Sequence, residues 1–214
     1  MKIKICGLKR EEDILYVNEI KPDYIGFVFA GEKRKIDEYQ AKNLKKLLDP
    51  SIISVGVFVN EDVNFISQLF LEGVIDLIQL HGDENINYIG KLNNLLLNKN
   101  KSAKLIKAIR VKDNKSLLNI EHFPVDYFLL DAFKEDEFGG SGIKFDHSLI
   151  SNLSKPYFLA GGISSSNIYE ILSNLKKKNI NLPFAIDVSS SVETNGLKDK
   201  EKIEEIVRIT RKFK

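Results

Sequence analysis

The feature that most restricts the fold of this chain is a repeated alternation between short apolar runs and stretches with helical spacing. Eight runs rich in β-branched and aromatic residues recur along the sequence, at 3–5, 24–29, 52–59, 75–80, 105–109, 127–130, 157–160 and 184–188. Continuous apolar runs of this length are typical of strands buried on both faces in a parallel sheet. Between them, apolar residues recur every three or four positions, as in Ile14, Val17 and Ile20, which indicates helices that cover the sheet.

Eight strand–helix units favour one architecture of the α/β class. A closed (β/α)8 barrel, the TIM barrel, has this number of units, and 214 residues lie near the short end of its size range. An open, doubly wound sheet explains the alternation equally well but accounts less naturally for the count. Because no shift of composition marks a second domain, we expect a single barrel domain over residues 1–214.

Local signals predict where several helices begin. Asp37 with Gln40 three residues later resembles a capping box. Asn60 is expected to cap the helix after the third strand, and Ser164 or Ser165 the helix after the seventh. The remaining predictions are a surface loop over 95–104, a weak helix over 116–120 and a short helix over 145–153.

The charge and cysteine content argue against several functional classes. With 32 basic and 30 acidic residues, the net charge of +2 gives no broad electrostatic case for binding nucleic acid or anionic membrane. One cysteine excludes a cysteine cluster for zinc, and three histidines leave little for another metal. No apolar run approaches the length of a membrane span, and we see no signal-peptide pattern, so we expect a cytoplasmic protein.

The only cysteine, Cys6, lies where the first apolar run gives way to Gly7 and a loop. A thiol at such a junction is a candidate nucleophile or base, since thiolate reactivity depends on a tuned pKa. Its position alone favours the alternative of a small buried apolar side chain, the usual state of an unpaired cysteine. The barrel changes this balance, because its active sites lie at the carboxyl ends of the strands.

Polar residues end most of the predicted strands and would form one rim in a barrel. They are Cys6, His81, Arg110, Asp131, Gly161-Gly162, Asp187 and Ser189-Ser190. Cys6 and Asp131 follow strands one and six and can face each other across the barrel mouth. A thiolate and a carboxylic acid form a plausible base and acid pair. The alternative for Asp131 is a loop or helix cap.

The last two strands are followed by small residues that suit a phosphate group. Gly161 and Gly162 allow main-chain N–H groups to approach a ligand, and Ser189 and Ser190 add hydroxyl donors. In (β/α)8 barrels these two loops frequently bind phosphate. Tight turns alone would also explain the glycines.

Three further features have both a functional and a structural interpretation. Arg34 could turn inward and bind a carboxylate with its planar guanidinium, or it could be solvated in its charged run. His81 could act as a second acid–base group, but a hydrogen-bonding role at the rim is favoured. The segment Gly139–Gly142 is either a mobile lid or a flexible turn. Arg110 is expected to be solvated or ion-paired.

Short motifs at the strand ends occur in a fixed order across nearly the whole chain. They are Lys4-Ile5-Cys6-Gly7, Gly26-Phe27-Val28-Phe29, Val55–Asn60, Gln79-Leu80-His81-Gly82, Leu129-Leu130-Asp131, Gly139–Gly142 with Phe145-Asp146, Leu159–Gly162, and Asp187–Ser190 with Val192-Glu193. Each motif is modest alone, but the ordered set is specific. By these motifs the chain resembles the phosphoribosylanthranilate isomerase family of tryptophan biosynthesis.

The resemblance implies an Amadori rearrangement of N-(5-phosphoribosyl)anthranilate without metal or organic cofactor. Asp131 would be the general acid that opens the ribose ring, and Cys6 the general base that removes the C2 proton. Arg34 would contact the anthranilate moiety, and the loops with Gly161, Gly162, Ser189 and Ser190 would hold the phosphate. The only expected partner is this small phosphorylated substrate, and both a monomer and a homodimer are compatible with the apolar helix faces.

The chain departs from the family pattern after the serine pair. Ser191 stands where glycine is usual, and Asn195-Gly196 replaces a Pro-Gly pair. Two other functions remain open. One is a phosphate-binding barrel without catalysis, although such a protein needs neither Cys6 nor Asp131. The other is a neighbouring barrel enzyme such as indole-3-glycerol-phosphate synthase, which resembles the chain less.

Overall fold

The computed structural model describes residues 1–111, 114–132, 150 and 153–213. Eight parallel strands close into a barrel in sequence order, with the eighth strand paired to the first. The strands are β1 (Lys2–Cys6), β2 (Tyr24–Val28), β3 (Ile53–Phe58), β4 (Leu77–Leu80), β5 (Lys104–Val111), β6 (Tyr127–Ala132), β7 (Tyr157–Ala160) and β8 (Ala185–Val188). The predicted (β/α)8 barrel is confirmed.

Six α-helices cover the barrel in the described part of the chain. They follow β1, β2, β3, β4, β7 and β8 and are α1 (Glu11–Ile20), α2 (Glu38–Leu47), α3 (Val63–Leu71), α4 (Ile86–Leu97), α5 (Ile168–Lys177) and α6 (Lys200–Arg211). α4 extends into the segment 95–104 that the sequence predicted to be loop. The predicted short helix over 145–153 and the glycine-rich segment Gly139–Gly142 lie outside the described residues.

The connection after β5 differs from the predicted helix. It holds two 3-10 turns, Asn114–Leu117 and Ile120–His122, instead of one helix over 116–120. Between the turns Asn119 adopts a left-handed conformation with φ +65°. A left-handed residue ends a helix, so the chain cannot continue through this position as one element.

A two-stranded hairpin that the sequence did not predict follows β8. A 3-10 turn at Ser190–Val192 leads into β9 (Glu193–Thr194), which pairs with β10 (Leu197–Lys198). Asn195 and Gly196 between them have φ values of +53° and +76°. Two left-handed residues in succession favour the type I′ turn, for which Asn-Gly is a preferred pair.

The helix starts agree only partly with the predicted caps. The Asp37 carboxylate accepts the Gln40 N–H at 2.8 Å and caps α2 as predicted. The capping box is incomplete, because the Gln40 side chain donates to the Lys9 carbonyl instead. Asn60 was wrongly predicted as a cap, since the carboxylate of Asp62 caps α3.

Asn60 and the predicted serine caps have other roles. Asn60 lies in a left-handed conformation, and its Oδ1 accepts the Asp83 N–H at 2.8 Å. α5 begins after Asn167, so neither Ser164 nor Ser165 is its cap. The Asn167 side chain instead accepts the Ser164 N–H at 2.9 Å.

The core has two layers, one between strands and helices and one inside the barrel. Alternate strand residues such as Ile3 and Ile5 face the helices. At the amino-terminal end of the strands, the interior is filled by four aromatic rings whose centroids lie 5.1–6.4 Å apart, those of Tyr24, Tyr127, Phe158 and Phe184. This packing closes one end of the barrel and leaves the carboxyl ends for polar groups. None of the helices in the described ranges combines the length and apolarity needed to cross a membrane.

Candidate active site

A cavity of about 550 Å³ opens at the carboxyl ends of the barrel strands. It is lined by all eight residues that the sequence proposed for a site, namely Cys6, Arg34, His81, Asp131, Gly161, Gly162, Ser189 and Ser190. These residues lie at the ends of six different strands or in the loops after them, and they are brought together only by closure of the barrel. Arg110, for which no role was assigned, is exposed and does not line the cavity.

Cys6 occupies a close-packed position at the end of β1. Its side chain is 9% exposed and lies beside Gly26, its partner residue on β2. A Cβ atom at Gly26 would stand 2.7 Å from Cys6 Sγ, which is closer than van der Waals contact allows. The absence of a side chain at Gly26 on β2 therefore leaves space for the sulfur atom.

A buried ion pair lies directly beneath the thiol. Lys4 Nζ donates to both carboxylate oxygens of Asp187, at 3.0 and 3.1 Å, and the Lys4 side chain is fully buried. Burial would lower the pKa of Lys4, but the negative partners Asp187 and Cys6 outweigh it and raise that pKa, so the ammonium stays charged. Burial raises the pKa of the Cys6 thiol above its usual value, and Lys4 and Lys198 oppose this rise.

His81 and Asp131 face each other across the cavity mouth. His81 Nε2 lies 3.5 Å from Asp131 Oδ2, and Gln79 Nε2 lies 2.9 Å from His81 Nδ1. The Gln79 amide therefore forms a hydrogen bond with the imidazole and fixes the orientation of the ring. The imidazole is thereby turned toward Asp131, whose side chain is 34% exposed and accessible from the cavity.

Arg34 turns inward and is held by a carboxylate of the protein itself. Its Nε and Nη2 donate to the two oxygens of Glu193 at 2.7 and 2.8 Å. Lys198 Nζ donates to the same carboxylate at 2.6 Å and to the Ser189 carbonyl at 2.9 Å. Burial alone would raise the pKa of Glu193, but Arg34 and Lys198 lower it to about 2.

The Arg34 stem also depends on a glycine beside the thiol. Gly7 has φ +84°, and a Cβ atom there would stand 2.4 Å from Arg34 Cδ. The side chain of Arg34 therefore crosses the main chain immediately after Cys6. Only a residue without a side chain permits both this conformation and this contact.

The two loops after β7 and β8 form the remaining wall. Gly161 and Gly162 have φ values of +92° and +65°, and Asn167 Nδ2 donates to the Gly162 carbonyl. The Ser189 hydroxyl, which the sequence proposed as a ligand donor, donates to the Cys6 carbonyl at 2.9 Å. In the described structure, Ser191 Oγ is buried without a hydrogen-bond partner. A buried unpaired hydroxyl beside a cavity favours a polar ligand.

Sequence reasoning assigned no role to four charged residues around the thiol and Arg34. They are Lys4, Asp187, Glu193 and Lys198. The available signal was a charge within an apolar strand, as at Lys4 and Asp187, because a buried charge needs a partner. The hairpin of β9 and β10 gave no such signal, so the contact of Glu193 with Arg34 could not be anticipated.

The site combines a thiol, a carboxyl group and loops suited to an anion. Such a set can remove a proton from carbon and deliver another to oxygen. Among the described residues, no group of three or more His, Cys, Asp or Glu side chains could hold a metal ion.

Comparison with known proteins gives consistent matches over the full length. Residues 3–209 match the family model of N-(5'-phosphoribosyl)anthranilate (PRA) isomerase. The N-(5'-phosphoribosyl)anthranilate isomerase of Endomicrobium trichonymphae is 47% identical over 210 residues, which cover 98% of each chain.

Two solved structures of phosphoribosyl anthranilate isomerases share the fold. The enzyme from Thermotoga maritima has a TM-score of 0.80 and 33% identity, with 100% of both chains covered. The other is in complex with reduced 1-(o-carboxyphenylamino)-1-deoxyribulose 5-phosphate and has a TM-score of 0.79 and 30% identity, again with full coverage. With a family model matched over nearly its whole length, the chain belongs to the N-(5'-phosphoribosyl)anthranilate isomerase family.

Proposed function

We propose that this chain converts N-(5-phosphoribosyl)anthranilate into 1-(2-carboxyphenylamino)-1-deoxyribulose 5-phosphate by general acid–base catalysis with Asp131 and Cys6. The observation that carries the proposal is the meeting of these two side chains on one cavity, in a chain of this family. A solved relative that binds a reduced form of the product supports the same substrate class.

The first chemical step opens the ribose ring. Asp131 donates a proton to the ring oxygen while the C1–O bond breaks, and the nitrogen lone pair forms a cationic imine. His81 contacts Asp131 and assists by fixing the orientation of the carboxyl group at the cavity mouth. The 34% exposure of Asp131 allows the carboxyl group to regain a proton from water after each turnover.

The second step removes the C2 proton. The Cys6 thiolate accepts this proton, and the C–H electrons move toward the imine to form an enolamine. The positive imine makes the C2 proton more acidic, so a thiolate is a sufficient base. Tautomerisation of the enolamine, with loss of the C2 hydroxyl proton and gain of a proton at C1, then gives the ketone product. Cys6 releases the C2 proton to solvent, which balances the proton that Asp131 takes up.

Substrate binding is assigned to two parts of the cavity wall. The main-chain N–H groups at Gly161 and Gly162 and the loop with Ser189 and Ser190 suit the phosphate. We assign the anthranilate carboxylate to Arg34, whose Nη1 is not used in the ion pair with Glu193.

The test follows the fluorescence of phosphoribosylanthranilate, made in situ, after addition of wild-type protein or of a variant. We expect Cys6→Ala and Asp131→Asn each to lower turnover by at least about 100-fold, the range for loss of a general base or acid. Arg110→Gln is the control, since this exposed side chain lies outside the cavity wall.

Wild-type turnover with full activity in the Cys6→Ala or Asp131→Asn variant would remove that residue from the mechanism. A failure of the wild type to accelerate the reaction would favour a phosphate-binding barrel without catalysis. Titration with phosphate esters would then be decisive. The choice between monomer and homodimer and the cytoplasmic location remain predictions, and light scattering of the purified protein tests the first.

A further inference from the structure

We propose that Lys4 is a positioning residue that holds a fixed positive charge beneath Cys6 and thereby favours the thiolate, with Asp187 anchoring the ammonium. This inference deepens the proposed function, on which it rests, because it concerns the ionisation of the proposed base.

The geometry of β1 brings the ammonium and the thiol together. Lys4 and Cys6 are two residues apart on one strand, so both side chains point into the barrel. Lys4 and Asp187 are partner residues of the neighbouring strands β1 and β8, and the two hydrogen bonds between them fix the ammonium below the cavity. Water screens this charge only weakly, since Lys4 is 0% and Asp187 8% exposed.

A purely structural role explains this ion pair poorly. A buried ion pair loses its hydration and commonly contributes less stability than an apolar pair of the same volume. In the described residues, the Lys4 and Asp187 side chains bond to each other and to no main-chain group. The pair therefore does not hold a loop in place.

A second buried ion pair on the other side of the barrel shows the contrast. Lys107 and Glu84 are also buried, but the Glu84 carboxylate accepts the N–H groups of Asn60 and Gly82, and Lys107 donates to the Gly82 carbonyl. That pair fastens two loops to the barrel. The Lys107–Glu84 pair therefore has a structural role. The Lys4–Asp187 pair has no such main-chain contacts in the described structure, and it lies next to the thiol.

Charges from several elements act on Cys6. Lys4 on β1 and Lys198 on β10 favour the thiolate, and Asp187 on β8 opposes it. Arg34 from the loop after β2 interacts with Cys6, while His81 and Asp131 act on Asp187. Of the two basic groups that oppose the effect of burial on the Cys6 pKa, Lys4 has the greater effect.

The two members of the pair thus act on the thiol with opposite signs. Loss of the Lys4 charge raises the pKa of Cys6, because the thiolate loses its buried cation and still faces Asp187. Neutralisation of Asp187 lowers that pKa, because the Lys4 charge is then balanced by the thiolate alone. A residue that only fills space would not produce opposite shifts.

The test uses the fact that Cys6 is the only cysteine. Protein labelled with carbon-13 at cysteine Cβ gives one cysteine resonance, whose chemical shift reports thiol against thiolate during a pH titration without substrate. We expect the midpoint to move to higher pH in Lys4→Met and to lower pH in Asp187→Asn. Lys107→Met is the matched control, and we expect its midpoint to equal that of the wild type.

An unchanged midpoint in Lys4→Met, or shifts of the same sign in Lys4→Met and Asp187→Asn, would overturn the inference. If Lys4→Met does not fold, as judged by circular dichroism, the Asp187→Asn variant decides alone. A downward shift then supports the role of the Lys4 charge, and an unchanged or raised midpoint contradicts it.

Kinetics separate this inference from the proposed function. If Cys6 is the base, kcat/KM rises with pH through the Cys6 titration, and this limb moves to higher pH in Lys4→Met. At neutral pH the variant then loses about tenfold in kcat/KM for each unit of displacement. A shifted resonance with an unshifted kinetic limb would keep the role of Lys4 and remove Cys6 as the base.

Discussion

At the residue scale, the position of the thiol depends on a neighbour that has no side chain. Cys6 Sγ occupies the space that a Cβ atom at Gly26 would need. Arg34 Cδ likewise occupies the space that a Cβ atom at Gly7 would need. Two glycines on adjacent elements therefore fix where the proposed base and the proposed carboxylate ligand lie. Neither glycine contributes a functional group of its own.

Substitution of Gly26 tests this dependence. We expect Gly26→Ala to lower kcat/KM by about tenfold to 100-fold, since displacement of a reacting group by 1 Å has an effect of this size. Gly90→Ala is the control, because a Cβ atom at Gly90 on α4 meets nothing within 4 Å. The fluorescence assay measures both variants, and equal activities would show that the sulfur position tolerates the added methyl group.

The sequence predicts a site residue best where its place at the end of a strand is enough to bring it to the cavity. Cys6 and Asp131 lie at the ends of apolar strands and His81 directly follows one, and barrel closure brings such residues to one cavity. The role of Ser189 could not be predicted in the same way, because its hydroxyl donates to the Cys6 carbonyl. That contact depends on the pairing of β8 with β1, which no local pattern specifies.

At the element scale, the hairpin of β9 and β10 supports Arg34 from outside the barrel. Glu193 on β9 binds the guanidinium of Arg34, and Lys198 on β10 binds both Glu193 and the Ser189 carbonyl. The hairpin therefore connects the proposed carboxylate site to the proposed phosphate loop. Asn195-Gly196 supplies the turn that this hairpin requires.

The ion pairs of Glu193 predict how stability responds to acid. Its pKa is about 2 in the folded protein and about 4.3 in the unfolded chain, so the stabilising contribution is complete above the higher value. As pH falls below about 4.3 toward 2, the unfolded chain binds the proton first and this contribution is lost. We expect Glu193→Gln to remove this part of the pH dependence of the free energy of unfolding.

Urea unfolding at a series of acidic pH values measures the effect. Glu201→Gln is a suitable control, since Glu201 is an exposed carboxylate on α6 without a resolved ion pair in the described structure. An identical pH dependence in wild type and Glu193→Gln would show that the ion pairs with Arg34 and Lys198 contribute nothing to folding.

At the scale of the whole molecule, the barrel interior is divided between an apolar end and a charged end. The amino-terminal end is filled by four aromatic rings, those of Tyr24, Tyr127, Phe158 and Phe184. The Lys4–Asp187 pair lies nearer the cavity. The apolar end contributes buried area to the core, and the charged end lies next to the proposed acid and base.

The fully buried ring of Phe158 tests the contribution of the apolar end. It packs against Tyr24, Tyr127 and Phe184, and we expect Phe158→Ala to lower the free energy of unfolding by about 3–5 kcal/mol. Tyr39→Ala is the control at a 75% exposed site, where we expect a change within about 0.5 kcal/mol. Urea unfolding monitored by circular dichroism measures both, and similar losses would contradict the packing argument.

The fold was more predictable than its connections. Eight apolar runs predict eight buried strands. Because they alternate regularly with helical stretches, few folds are compatible with the pattern. The helix predicted over 116–120 is interrupted at Asn119, which is left-handed. Asn60 does not cap a helix, because its side chain accepts a hydrogen bond from Asp83 in the next loop. Such choices depend on contacts between loops, and these exist only after the barrel has closed.

The distribution of the proposed acid and the proposed base along the chain has a consequence for fragments of this barrel. Cys6 lies on β1 and Asp131 on β6, while the exposed residues 98–101 between α4 and β5 mark a natural place to divide the chain. Each of the two half-barrels would then carry one member of the proposed acid and base pair and a sheet edge in need of a partner. Turnover would require the halves to reassociate, so the reaction itself would report complementation between two separately produced polypeptides.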